Sequence, residues 1–240
     1  MNLALARSIL RPGATRSANR NRGFTLIELL VVIVIIGVAA TIAAPSWVAF
    51  TNRQKISKAA DRLATAFQEA RSEAKRGKQS YRLTFRNNNG IVEYSVQRAD
   101  VLVSATKNDR RAWRPLLTQQ EGLRPGFLFA CTNVVRTPMN TAIATVGNPN
   151  ALITGTPACQ IIEQSSGTSS NDQALPTIIF SSTGGLPINS TTPIVVTVGL
   201  NRRANNTNAN DLIRSSRRCI YIETLLGVTR TARDTACPNV

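Results

Sequence analysis

The longest apolar run in the chain, FTLIELLVVIVIIGVAATIAA from Phe24 to Ala44, holds 21 residues and a single charge, Glu28. Drawn as an α-helix at 1.5 Å per residue it is about 31 Å long, close to the hydrocarbon thickness of a bilayer. Beyond Pro45 the pattern becomes amphipathic. Between Asn52 and Arg76 the apolar positions Ile56, Ala60, Leu63, Phe67, Ala70 and Ala74 recur at spacings of 4, 3, 4, 3 and 4, which places them on one face of a second helical stretch. Lys55, Lys58, Asp61, Arg62, Glu69, Arg71, Glu73, Lys75 and Arg76 fill the other face. The small residues in the stripe allow close approach to a sheet; a coiled coil is the alternative, for which the stripe is short. Gly77 is the expected stop, with Lys75 and Arg76 well placed at the negative end of the helix dipole.

After Gly77 the period drops to two. Tyr81, Leu83 and Phe85 alternate with polar residues, Asn87 to Gly90 makes a turn, and Val92, Tyr94 and Val96 alternate again, predicting a hairpin. Further strands are expected at 101–105, 127–131, 177–181, 193–199, 218–223 and 225–229. The tracts 132–157, 164–174 and 201–210, rich in Thr, Asn, Ser, Gly and Pro, read as surface loops. A long helix followed by many short strands predicts an α+β protein with one globular domain.

Charge adds a direction. Five cations (Arg7, Arg11, Arg16, Arg20 and Arg22) and no acid precede residue 23, which puts the N-terminus on the cytoplasmic side and everything after Pro45 outside the cytoplasm. A conventional secretory signal also starts basic and turns apolar, but its cleavage follows the apolar run. Ala39-Ala40-Thr41 and Ala43-Ala44-Pro45 are poor sites for that, and a glutamate five residues into the run does nothing for simple insertion. A carboxylate at the centre of a bilayer costs roughly 2.5–3.5 kcal/mol, less near the interface, so Glu28 calls for a cation. Cleavage after Gly23 would supply one, the new α-amino group of Phe24, most usefully to Glu28 of a neighbouring subunit; the plainer alternative is a carboxylate that snorkels to the headgroups.

Gly23-Phe24-Thr25-Leu26-Ile27-Glu28-Leu29-Leu30-Val31-Val32 resembles the processing and assembly motif of type IV pilins and type II secretion pseudopilins. The resemblance implies cleavage between Gly23 and Phe24 by a membrane prepilin peptidase, N-methylation of Phe24, and Glu28 as the assembly carboxylate. Gly37 and Pro45 sit where pilin helices commonly loosen or bend. The leader is longer than many in the family and has no lysine. Phe180-Ser181-Ser182-Thr183-Gly184-Gly185, Ile194 to Val198, Arg218 to Ile222 and Leu226 to Arg230 look similar to the closing half of a GspH/FimT-type pseudopilin domain, which implies a long helix packed on an antiparallel β-sandwich.

The organisation expected is a basic leader at 1–23, cleaved; a methylation motif and transmembrane helix at 24–51; the amphipathic second half of the helix at 52–77; and a β-rich GspH/FimT-like domain at 78–240. The resemblance implies a minor subunit of a type II secretion pseudopilus or type IV pilus in the bacterial inner membrane. Its N-terminus is cytoplasmic and its domain periplasmic or extracellular, and its partners are the prepilin peptidase/methyltransferase and other pilins.

With leader removal 24 Lys and Arg face 13 Asp and Glu, so the mature chain carries +11, an excess that suits polyanionic partners or plain solubility. Cys131, Cys159, Cys219 and Cys237 in an exported chain suggest disulfides, expected as Cys131 with Cys159 and Cys219 with Cys237, although three pairings are open. Without histidine or any C-x-x-C pair, a metal site and a Ser-His or Cys-His nucleophile are both disfavoured, and no cofactor motif is present. Thr183-Gly184-Gly185 lacks the Gly-Lys-Ser/Thr ending of a phosphate loop and reads as a turn. Arg202, Arg203, Arg214, Arg217, Arg218, Arg230 and Arg233 form a lysine-free set suited to phosphate, so DNA binding in the manner of FimT-like minor pilins is the second function carried forward; a solvated charged face is the alternative.

Overall fold

A computed structural model describes residues 23–100, 112–134, 136–138, 160–162, 174–186, 193–204, 213–222 and 227–237. The leader 1–22, the strand expected at 101–105 and most of the tracts 132–157, 164–174 and 201–210 lie outside the described residues. One helix, α1 (Leu26–Gly77, 52 residues), carries both helical patterns with Pro45 inside it. The described residues form ten strands, β1 (Tyr81–Asn88), β2 (Ile91–Arg98), β3 (Arg114–Pro115), β4 (Leu128–Thr132), β5 (Arg136–Pro138), β6 (Gln160–Ile161), β7 (Ala174–Phe180), β8 (Ile194–Leu200), β9 (Arg218–Ile222) and β10 (Thr229–Arg233). They form two antiparallel five-stranded sheets, in the orders β3-β2-β1-β7-β5 and β10-β9-β8-β4-β6. The architecture is α+β and pilin-like: a long N-terminal helix, apolar in its first half, packs its amphipathic second half on antiparallel sheets. The chain divides after Ser46 into two compact units.

In the second unit, the stripe read from the 3.6 period is the buried face of α1. Ile56, Ala60, Leu63, Phe67, Ala70 and Ala74 are all buried, joined by Ala59 and Ala66. Alanines at these positions let the helix backbone come close to the sheets, and they form a single core with the inward side chains of both: Leu83, Phe85, Ile178 and Phe180 from the first sheet, and Val196, Val198, Ile220 and Ile222 from the second. Phe67 lies edge-on to Phe85 and Phe180, with ring centroids 6.5 and 6.4 Å away.

Two bidentate ion pairs fasten the polar flank of this helix. Arg62 reaches both oxygens of Glu121 at 2.8 and 2.7 Å, and Glu69, two turns further on, accepts both arms of Arg114 at 2.8 and 2.6 Å. The segment between Arg114 and Glu121 is thereby strapped along α1. The backbone N–H of Thr118 and then the Arg62 guanidinium hold the Glu121 carboxyl below its ordinary pKa, and the Glu69 hydrogen bonds raise that of Arg114.

The turns follow their chemistry. Asn88 pairs with Ile91 in the hairpin, and both Asn89 (φ 50°) and Gly90 (φ 81°) adopt the left-handed conformation that a tight two-residue turn demands. Gly184 is left-handed at φ 76°, and a Cβ there would also run into the Lys75 side chain, so the turn after β7 closes directly onto the helix. At the end of α1 the left-handed residue is Lys78 (φ 49°), one place beyond the expected glycine stop.

Several expectations are corrected. Of the strand expected at 225–229, the described residues Gly227 and Val228 are not strand: Gly227 takes φ 72° as a turn residue, and β10 pairs with β9 from Thr229↔Ile222 to Arg233↔Arg218. The apolar pair Leu225-Leu226, on which that expectation leaned, lies outside the described residues. The short strands β3, β5 and β6 fall in stretches read as loops or left unassigned. Two or three residues give no alternation to read, and their pairing partners are distant in sequence.

Satellite clusters cover the outer face of the second sheet. Cys131 on β4 is fully buried with Phe129 and Ile161, and it is disulfide-bonded; Cys159 lies outside the described residues. Cys219 and Cys237 form a disulfide with Cα atoms 5.6 Å apart, packed with Val195 and Ala232. This bond and the 2.7 Å hydrogen bond from the Tyr221 hydroxyl to the Ala236 carbonyl hold the C-terminal segment across the sheet. Replacing both Cys219 and Cys237 by alanine is expected to cost about 3 kcal/mol, the value for a loop of this size. Urea unfolding of the oxidised protein measures it, and an unchanged midpoint would remove the stapling role.

Candidate assembly segment

The residues singled out at the N-terminus sit at the start of α1. Thr25 precedes the first helical residue, its hydroxyl oxygen accepts the Glu28 backbone N–H at 3.3 Å, and its carbonyl accepts from Leu29 at 3.2 Å. Thr25 is therefore the N-cap and Glu28 the third helical residue, the Thr-x-x-Glu spacing of a capping box with its threonine half made. Glu28 also lies where the helix dipole is positive, which favours a carboxylate. This local role was missed in the reading of the sequence alone, and the spacing Thr25-Leu26-Ile27-Glu28 was the signal for it.

From Phe24 to Phe50 every side chain is exposed. Phe24 is 78% exposed, Leu26 84% and Ile42 75%, and no residue of the most apolar window of α1 is buried. The helix is long and apolar enough to cross a membrane. Bare in water, such a surface far exceeds the apolar patches soluble monomers tolerate, so it needs lipid or the helices of other subunits. Around Pro45, which has no N–H to donate, hydroxyls fold back on the helix: Thr41 donates to the Val38 carbonyl at 2.7 Å and Ser46 to that of Ala43 at 2.8 Å. A Cβ on Gly23 or Gly37 would meet nothing within 4 Å, so among the described residues no packing contact requires either glycine.

The arginines considered for DNA are dispersed. Arg202 and Arg203 are exposed just past β8, and the side chain of Arg214 lies outside the described residues. Arg217 is 6% exposed, with its side chain against Gly199. Arg218 faces Asp234 at 3.5 Å; burial lowers its pKa and Asp234 partly restores it. On β10, Arg230 stacks over the Tyr221 ring at 4.8 Å, while Arg233, three residues on in a strand, points to the opposite face of the sheet. Another arginine is buried where no reading of the sequence placed one. Arg82 on β1 is 3% exposed, and burial lowers its pKa to about 10 against the pull of Asp100. Among the described residues no cluster of side chains could hold a metal ion.

Comparison with known proteins agrees with this geometry. Residues 18–44 match the family described as the prokaryotic N-terminal methylation motif. The chain is also similar to the type IV major pilin protein PilA of Myxococcus xanthus, 47% identical over 53 residues. That likeness spans 22% of this chain and 24% of the relative, so it speaks for the N-terminal segment alone. No solved structure matches the chain. The protein thus carries the N-terminal methylation motif of type IV pilins on an exposed apolar helix whose other half is built into a two-sheet domain.

Proposed function

We propose that this chain is a pilin-class filament subunit, made as a precursor, cut between Gly23 and Phe24 by a prepilin peptidase, methylated on Phe24, and assembled with other pilins through α1. The observation that carries the proposal is the coincidence of the methylation motif with a wholly exposed apolar stretch, residues 24–44, whose single charge is Glu28. The role is structural, and it uses the inner membrane as the store of unassembled subunits, with the N-terminus cytoplasmic and the domain outside. Within the class we read the chain as a GspH/FimT-type minor subunit. The support is the closing half of the domain, where Phe180 leads through the Gly184 turn toward β8 and β9.

The test is the mature N-terminus. Mass spectrometry of the membrane-extracted protein is expected to find methylated Phe24 as the first residue, and Gly23→Val is expected to leave the precursor uncut. A membrane form that still starts at Met1, or a Gly23→Val variant processed normally, would sink the proposal.

A further inference from the structure

The second unit contains an open groove of about 520 Å³ that the assembly role does not use. One wall comes from α1 itself, through Asn52 and Lys55, and the cations Arg124 and Arg202 stand along its other sides over a floor that includes Phe127 and Leu200. No carboxylate lines it among the described residues. The acid nearest in sequence, Glu121, has both oxygens taken by Arg62. Lys55 is held in place: its ammonium donates to the Gly122 carbonyl at 2.9 Å, and Gly122 is left-handed at φ 75°, with the Lys55 side chain lying where a Cβ would point. Arg124 and Arg202 are exposed and enter no ion pair among the described residues. Three cations therefore converge on a space that is part polar and part apolar.

Its position names the source of the anion. Just before the groove along α1, Trp47, Val48 and Phe50 are exposed, and the Trp47 and Phe50 rings lie 6.1 Å apart. Exposed aromatics following a membrane-spanning run are interfacial anchors. At 1.5 Å per residue Asn52 and Lys55 lie only about 3 and 8 Å beyond Phe50 along α1, next to the headgroup level that such anchors mark. The geometry points to a binding site for the phosphate of an anionic phospholipid headgroup, with Lys55, Arg124 and Arg202 on the phosphate oxygens and the apolar floor against the glycerol end of the lipid. A nucleic acid would find no base-stacking platform there, because Phe127 is half-buried in the floor.

This inference rests on the reading of residues 24–44 as membrane-spanning, and the experiment separates the two. The full chain is reconstituted into phosphatidylcholine vesicles carrying spin-labelled phosphatidylglycerol or spin-labelled phosphatidylcholine as probe. Carbonate extraction checks that the protein is integral; a protein released by carbonate fails the membrane reading and the site with it. For integral protein, phosphatidylglycerol is expected to be enriched about fivefold at the protein surface. Lys55→Gln/Arg124→Gln/Arg202→Gln should abolish the enrichment, whereas Arg124→Lys/Arg202→Lys and the charge-matched control Arg76→Gln/Lys78→Gln/Arg233→Gln should keep it. Enrichment that survives in the triple groove variant, or that the control removes equally, overturns the site. Displacement of the lipid by inorganic phosphate but not by chloride at equal ionic strength would reassign the groove to free phosphate. A gel shift with duplex DNA that is lost in the groove variant, without any lipid enrichment in the wild type, would reassign it to nucleic acid.

Discussion

Phe67→Ala is expected to destabilise the folded domain by about 3–5 kcal/mol, a large share of what a domain of this size has. Phe67 is 1% exposed and sits between Phe85 of β1 and Phe180 of β7, edge-on to each. It is the largest fully buried side chain that α1 contributes. Its neighbours along the buried stripe, Ala66 and Ala70, are too small to swing into the space it would leave. The cavity therefore stays open, and the cost holds both the lost transfer energy and the lost contacts. The loss of two edge-to-face aromatic pairs adds to it. Urea unfolding of the detergent-solubilised chain, followed by the fluorescence of the buried Trp113, measures the change. A loss under 1 kcal/mol would mean that the helix and the first sheet do not share one core.

The residues that made the helix legible are the ones that bury most. Ile56, Leu63 and Phe67 recur with the helical period because the same face meets two sheets, and the inward residues of β1 and β2 alternate because only one face of that hairpin reaches the core. Legibility fails where burial has another cause. Arg82 and Arg217 lie on the strand and loop positions where a charge is expected to meet water, yet they are covered by neighbours that no local period announces. The arginines taken as one surface were grouped by closeness in sequence, and strand geometry scatters them: Arg230 and Arg233 diverge because side chains three apart in a strand point to opposite faces. At the N-terminus a lone acid in an apolar run called for a reason, and the resemblance of Gly23 to Val32 to the motif of type IV pilins supplied it. The capping bond of Thr25 was also written there, but as spacing rather than as chemistry. The groove was not legible at all, because Lys55, Arg124 and Arg202 come from three separate stretches that only the fold brings together.

Glu28→Leu is expected to leave membrane insertion intact or improved and to cut incorporation into filaments by roughly a hundredfold. That figure corresponds to about 3 kcal/mol, the lower end of the cost of leaving one member of a buried ion pair unpaired. The capping box offers a competing explanation for the same residue, because Glu28 is the third residue of a helix whose N-cap is Thr25. Capping works inside one chain and is worth about 1 kcal/mol, so it would weaken the first turn without regard to neighbours. Glu28→Gln separates the two. Glutamine serves as the third residue of a capping box as well as glutamate does, but it cannot neutralise the Phe24 amine of another subunit. If the carboxylate works by pairing, Glu28→Gln should fail at incorporation as Leu does, while Thr25→Ala, which removes the cap and keeps the charge, should assemble nearly as well as the wild type. Sheared-filament yield against total membrane-bound subunit reads all three. Normal assembly by Glu28→Gln, together with failure of Thr25→Ala, would make the residue a helix cap and leave the apolar run without its electrostatic partner.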